Sequence, residues 1–270
     1  LDPIQVDRQL DNNFRNNYTI MQKPSFSFSY LGFNLKNEKF KDIRIRQALS
    51  LAIDRQELVD ILFFGYGKVC NGPFLPNSFA YNEDIKTITQ DIIKAKELLK
   101  EAGYDENHPF SFEVVTNTGN DIRINAALIL QYQLQKAGIK MNIRVMEWQA
   151  FLNTVVHPRN FEAVLLGWSM ALMPDAYPIW HSTSSKLGGF NFVSYENPKV
   201  DNLIEKGNNT VNRDELGKIY KDIFKIITDD LPYLFLYIPD SISAVNKNIK
   251  NIEPSFIGIM HNQKDWEIQE

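Results

Sequence analysis

Hydrophobic and polar positions follow three rhythms along this chain. Period-two alternation marks half-wet strands at Pro24-Ser25-Phe26-Ser27-Phe28-Ser29-Tyr30, from Phe110 to Val115 and from Met141 to Val145. Helical spacing with end signals marks a second set. Asp42 caps a stretch carrying Ile45, Leu49 and Ala52, and Asp54 with Glu57 restarts it as a capping box ahead of Leu58 and Ile61. Asp91 to Ala102 is closed by Gly103, and Asp121 to Ala137 is stopped by Gly138. Trp148 to Val156 predicts a short helix, Asn197-Pro198 opens another, and Asn212 caps one through Tyr220 and Phe224 to Asp229. The third rhythm is the continuous apolar run, at Phe161 to Gly167 and Tyr233 to Ile238. Runs of that length without polar alternation predict strands covered on both faces.

In order, residues 110–167 predict strand, helix, strand, helix, strand. Crossovers of this length imply parallel neighbours with right-handed connections, so strand ends and helix starts gather on one rim. Asn117-Thr118-Gly119-Asn120-Asp121 lies on that rim, beside the loop that follows Gly167-Trp168 and runs to Trp180. Loops at such a rim are usual ligand sites in open α/β sheets, although a surface connection with locally packed aromatics would look the same. The ends differ in character. Residues 1–30 are polar and Asn-rich, and the tail from Ala244 is extended and polar, as if both belonged to a second unit. The first residues, Leu1-Asp2-Pro3, suggest a fragment or a processed product.

Composition narrows the classes. A 270-residue chain with 44% hydrophobic and 23% charged residues has ample material for a core. A formal charge of -4 and interrupted lysine clusters, such as Lys36-Asn37-Glu38-Lys39, argue against nucleic acid as a partner. The single cysteine, Cys70, allows no internal disulfide and no cysteine-based metal cluster, and no metal site or cofactor is expected.

Catalytic signals are sparse. His108, His157, His181 and His261 are scattered and read as surface or loop histidines, and neither a nucleophile elbow nor a glycine-rich phosphate loop is present. Asp229-Asp230 reads as a solvated turn before Leu231-Pro232. No catalytic residue is assigned. A binding surface remains: Trp168, Tyr177 and Trp180 offer flat, amphipathic walls. Arg123 falls in the first turn of a helix, where a cation opposes the helix dipole; an anionic ligand group, or pairing with Asp121 or Asp175, would account for it.

The stretch Phe40-Lys41-Asp42-Ile43-Arg44-Ile45-Arg46-Gln47-Ala48-Leu49-Ser50-Leu51-Ala52-Ile53-Asp54-Arg55 resembles the signature of family 5 extracellular solute-binding proteins. These are the oligopeptide, dipeptide and nickel-chelate receptors of ABC importers. Tyr30-Leu31-Gly32-Phe33-Asn34, Ala95 to Tyr104, Leu134 to Ile139, Glu147-Trp148 and Gly167-Trp168 match in the same order. The resemblance covers nearly all the chain and implies roughly the C-terminal half of such a receptor.

It implies a periplasmic-binding-protein-like type II lobe of α/β class, with a mixed sheet, a βαβαβ core and helices on both faces. Residues 1–32 would be an entering segment of the other lobe or hinge, 33–240 the second ligand-binding lobe, and 241–270 the returning segment. Family members catalyse nothing; they close two lobes around a solute and deliver it to the membrane permease subunits. By resemblance the site comprises Trp168, Ser169, Ala171, Asp175 and Tyr177 on the loop, with Arg123 facing an acidic ligand group. In peptide receptors the residue three beyond the Trp is an Asp that pairs with the peptide amine; here it is Ala171. Either Asp175 substitutes, or the ligand is not a free-amine peptide. The expected solute is peptide-like or anionic, with a metal chelate, haem or oligosaccharide as the alternative and a hydrolase of dispersed carboxylates as the remote one. The expected protein is an extracytoplasmic monomer, in the periplasm or held at the cell surface by a lipid anchor.

Overall fold

The computed structural model describes residues 1–255 and 257–269. Two short helices, α1 (Pro3–Arg8) and α2 (Asn12–Asn17), precede strands β1 (Tyr18–Pro24) and β2 (Ser27–Phe33). Helices α3 (Ile43–Ala52) and α4 (Arg55–Phe63), strand β3 (Gly67–Val69) and helix α5 (Ile92–Glu101) follow. The predicted alternation is then realised as β4 (Ser111–Asn117), α6 (Asp121–Lys136), β5 (Lys140–Met146), α7 (Trp148–Phe151) and β6 (Ala163–Ser169). Helices α8 (Tyr177–Trp180), α9 (Pro198–Asn208) and α10 (Arg213–Asp230) lead to the long strand β7 (Tyr233–Asn246). A small ladder of β8 (Ile249–Lys250) with β9 (Glu267–Ile268) closes the chain.

The helix starts sit where the caps put them. Asp42, Asp54, Asp91, Asn120, Asn197 and Asn212 each accept a hydrogen bond from a first-turn backbone N–H, satisfying donors that have no partner within the helix. The helix expected over 148–156 is α-helical only to Phe151; its second half, Leu152–Val156, widens into a π turn. The apolar run expected as a strand to Gly167 extends two residues further, so Trp168 and Ser169 stand on the strand and not in the loop. Pairing explains the extension, since Phe28 lies opposite Trp168 and Ser27 opposite Ser169.

The main sheet runs β1-β7-β2-β6-β4-β5, with β3 also on β7. Strand β4 is parallel to both β5 and β6, as the crossovers require, whereas β2 is antiparallel to β6 and β7, so the sheet is mixed. Side chains alternate between two cores. Leu31, Phe33, Ala163, Leu165, Leu234 and Leu236 pack with α3 to α6 on one face. Phe28, Tyr30, Val164, Leu166, Tyr233 and Phe235 pack with α7, α9 and α10 on the other. That double covering is why the β6 and β7 sequences lack polar alternation.

The polar residues of the Phe40–Arg55 stretch serve this frame. The Arg46 guanidinium, 8% exposed, donates to the Asp230 carbonyl at 2.8 Å and to the Phe40 carbonyl. Arg55 donates to the Phe235 carbonyl at 2.8 Å and to Ser50, and burial draws its pKa down to about 10, so it stays a cation at neutral pH. Buried Gln133 ties α6 to α4: its amide accepts from the Asp54 N–H at 3.0 Å and donates to Glu57 at 2.6 Å. Asp230 is no solvated turn. Its carboxylate accepts from the Tyr195 hydroxyl and from Asn197 at 2.7 Å, clamping the end of α10 to the start of α9.

Candidate functional site

The carboxyl ends of β4 and β6, the first residue of β2 and the N-terminus of α6 meet on one rim of the sheet, and Arg123 sits among them. Its backbone N–H donates to the capping Asn120 side chain at 2.9 Å. Its Nη1 donates to Asn117 Oδ1 at 2.5 Å, from the last residue of β4. Asn117 is itself fixed, since its amide donates to the Thr118 carbonyl at 2.7 Å. Gly167 makes room: a Cβ there would stand 3.6 Å from Arg123 Nη2 and only 2.9 Å from the Phe28 carbonyl. The guanidinium therefore lies along the glycine of β6.

The cation is only partly satisfied. Its Nε is buried with no hydrogen-bond partner among the described residues. Desolvation lowers its pKa, and the groups that oppose this are the hydroxyls of Tyr237 and Tyr30, not carboxylates. Pairing with Asp121 or Asp175 thus does not account for Arg123: Asp121 is exposed, and Asp175 is engaged elsewhere. A half-buried cation with a spare donor could hold an anion, because a ligand oxygen placed there would gain a charge-assisted hydrogen bond.

Arg123 opens into a shallow cavity of about 300 Å³ that it shares with Ser27, Ser29, Asn120, Trp168, Ser169 and Tyr237. Three sequence-predicted residues, Arg123, Trp168 and Ser169, are thereby brought together. Trp168 is no open wall, however. Its indole stacks on Phe192 at 5.6 Å and on Tyr30 at 6.2 Å between ring centroids, and Nε1 donates to the Tyr233 hydroxyl at 3.3 Å. What a ligand would meet is its edge. Burial pushes the Tyr233 phenol up to about 12, so that hydroxyl stays neutral.

Ala171 is exposed and lines a second cavity of about 270 Å³ beyond Met170. Asp175 and Tyr177 line neither cavity. The Asp175 carboxylate accepts the Tyr177 N–H at 3.0 Å, turning the loop into the short helix α8. Tyr177 stacks on His181 with ring centroids 4.3 Å apart and meets the Thr183 hydroxyl at 3.0 Å. Trp180, expected as a wall, is 1% exposed and packs against Tyr233 and Phe235. His181 also departs from expectation. It is 4% exposed, with Nδ1 2.8 Å from the Thr183 hydroxyl, whereas the other three histidines are exposed. Aromatic residues after a strand look alike whether they face a cleft or a core; here α9 and α10 bury them.

Residues that sequence patterning did not single out complete the rim. Ser27 and Ser29 belong to an alternation read only as a strand, and Tyr237 to an apolar run. Phe74 and Phe79, walls of the second cavity, lie in a proline-rich loop that carries no periodic signal.

Comparison with known proteins adds to this geometry. The model of the bacterial extracellular solute-binding proteins, family 5 Middle, matches residues 2–190. The oligopeptide-binding protein AppA of Bacillus subtilis is 34% identical over 264 residues, covering 93% of this chain and 48% of AppA. The nickel-binding protein NikA of Staphylococcus aureus is 29% identical, with 95% of this chain and 51% of NikA covered. Among solved structures, NikZ from Campylobacter jejuni in complex with Ni(L-His) superposes with a TM-score of 0.82 at 29% identity, covering 99% of this chain and 56% of NikZ. The chain spans about half the length of the curated relatives it matches.

Proposed function

The chain belongs to family 5 of the bacterial extracellular solute-binding proteins, and on that premise we propose that it is one ligand-binding lobe of an ABC-importer receptor. In this proposal it captures a peptide-like or other small anionic solute against a second lobe and delivers it to the permease in the membrane. It works outside the cytoplasm, as a monomer, and performs no chemistry on the solute. Residues 1–26 and 241–270 carry the chain to and from the other lobe, whereas residues 27–32, expected in the entering segment, form β2 in the middle of this lobe's sheet. The antiparallel ribbon of β1 with residues 240–246 of β7, at the edge of the sheet, supports that division.

One observation carries the choice of solute: Arg123 is half-buried, faces a cavity and has a buried donor without a partner among the described residues. Such a group is costly in the empty lobe and is relieved by an anion, so the solute places a carboxylate or similar oxyanion there. Calorimetric titration of the two-lobed receptor with panels of peptides and metal chelates tests this. An anionic member of either panel should bind, and Arg123→Gln should weaken it at least tenfold. Absence of binding across both panels overturns the proposal.

A metal chelate is the second reading. Among the described residues no group of three or more His, Cys, Asp or Glu side chains is placed to hold an ion, so no such cluster is available to grip a bare cation. A chelate whose organic ligand carries carboxylates would instead be held by Arg123. NikZ was crystallised with such a species, Ni(L-His).

A further inference from the structure

We propose that Tyr237 sets the specificity of the Arg123 site. With Ser29 it supplies neutral hydroxyl donors beside the cation, so the site takes a carboxylate in preference to its uncharged amide. This rests on the reading of the chain as a solute-binding lobe. It goes further by assigning the group that reads the second oxygen of the anion.

A fault in strand pairing puts Tyr237 there. Side chains along a strand alternate between its two faces, so Tyr237 should share a face with Tyr233 and Phe235. Those two lie in the aromatic core beneath α9 and α10. Tyr237 instead packs with Leu234 and Leu236 on the side of α3 to α6. The pairing with β2 gives the reason. Ser29 stands opposite Tyr237 and Tyr30 opposite Phe235, so Leu236 has no counterpart in β2 and forms a β-bulge. One extra residue reverses the facing of the positions beyond it. Without the bulge, Ile238 would come to the α6 side and Tyr237 would enter the aromatic core.

The re-aimed phenol meets the cation. Its ring packs on Phe63 with centroids 4.9 Å apart, and Tyr237, Ser29 and Arg123 line the same cavity. Burial raises the Tyr237 pKa, while the Ser29 hydroxyl and the Arg123 charge pull against that rise. The phenol oxygen therefore lies toward both groups, and it keeps its proton at neutral pH. On the neighbouring strand Gly167 stands opposite Ser29. A Cβ at 167 would come to 3.5 Å from Ser29 Oγ and 3.6 Å from Arg123 Nη2, so glycine leaves both uncovered.

A charged donor and neutral ones thus border one space. A carboxylate only accepts hydrogen bonds, so one oxygen can take the guanidinium and the other the phenol. A carboxamide offers a single oxygen, and its NH2 group would be set against a guanidinium that accepts nothing. Phenylalanine in place of Tyr237 keeps the packing on Phe63 and removes only the hydroxyl.

Acid and amide pairs titrated calorimetrically into the two-lobed receptor test this. The probes are tri-alanine against tri-alanine amide, and nickel–histidine against nickel–histidinamide. At least one acid should bind the unmodified receptor roughly tenfold tighter than its amide. Tyr237→Phe should weaken that acid about tenfold, leave the amide as it was and keep the unfolding midpoint. Ser29→Ala should act in the same direction, and it carries the test should Tyr237→Phe lose its fold. Equal binding of acid and amide by the unmodified receptor overturns the inference. So does a variant whose acid-to-amide ratio is unaltered, since a merely structural role lowers both affinities together. If Arg123→Gln still lowers the ratio in that case, the solute-binding reading stands alone. If neither acid binds, that reading fails and the inference with it.

Discussion

Asn117, the last residue of β4, holds the guanidinium of Arg123 at 2.5 Å through its side-chain oxygen, across the turn that leads into α6. The bond uses one Arg123 nitrogen and leaves Nε buried and unpaired among the described residues. The helix cap Asn120 fixes the backbone from which the side chain departs. Strand end, turn and first helical turn thus aim one cation at the rim of the sheet without neutralising it.

Replacing that cation separates binding from stability. Arg123→Gln should weaken an anionic solute by roughly ten- to a hundredfold, the loss of one charge-assisted hydrogen bond of about 1.5–3 kcal/mol. The folded chain should not lose stability, because a desolvated, incompletely paired charge is removed. Titration calorimetry and thermal unfolding read the two effects independently; unchanged affinity would remove Arg123 from the site.

Gly72 is required by packing. A Cβ there would lie 2.3 Å from Phe224 Cζ, and Phe224 is fully buried among the side chains of α10 and the sheet. Gly72→Ala should cost on the order of 1–3 kcal/mol through overpacking. A lowered denaturant midpoint checks it, and a neutral substitution would mean that the loop before Pro73 yields easily.

Asp240 gives a pH signature. Burial raises its pKa above 3.8, against an opposing pull from Lys68, and its Oδ1 is buried without a partner among the described residues. A carboxyl whose folded pKa is raised binds its proton more tightly in the native state, so its contribution to stability declines as pH rises from 3.8 through the folded value. Asp240→Asn should therefore raise the unfolding midpoint at pH 7 and make little difference near pH 3. A variant equally or less stable at pH 7 would contradict the assignment.

Cys70 should be chemically silent in the native protein. It is 1% exposed, its thiol donates weakly to the Gly72 carbonyl, and burial pushes its pKa up to about 12. Since the thiolate is the reactive form, alkylation at pH 8 should proceed only after denaturation. Rapid labelling of the native chain would show that the region beside β3 opens readily.

Much of the frame was legible in residue order. Caps such as Asp54 and Asn212 act locally, within one helical turn, and the continuous apolar runs of β6 and β7 can be hidden only by cover on both faces. Arg123 was legible too, because a cation in the first turn of a helix conflicts with the helix dipole and calls for an external reason. What tertiary structure alone decided is which of the loop residues meet a solute. Trp168, Tyr177 and Trp180 are chemically similar in sequence, yet pairing with β2 turns the first edge-on to a cavity. Stacking on His181 holds the second aside, and the aromatic core beneath α9 and α10 swallows the third. The second cavity arises only where the loop after β3 meets the loop after β6, about a hundred residues apart in the chain. Local preference extends a turn or a strand at a time, whereas a concave surface belongs to segments that only the folded sheet brings together.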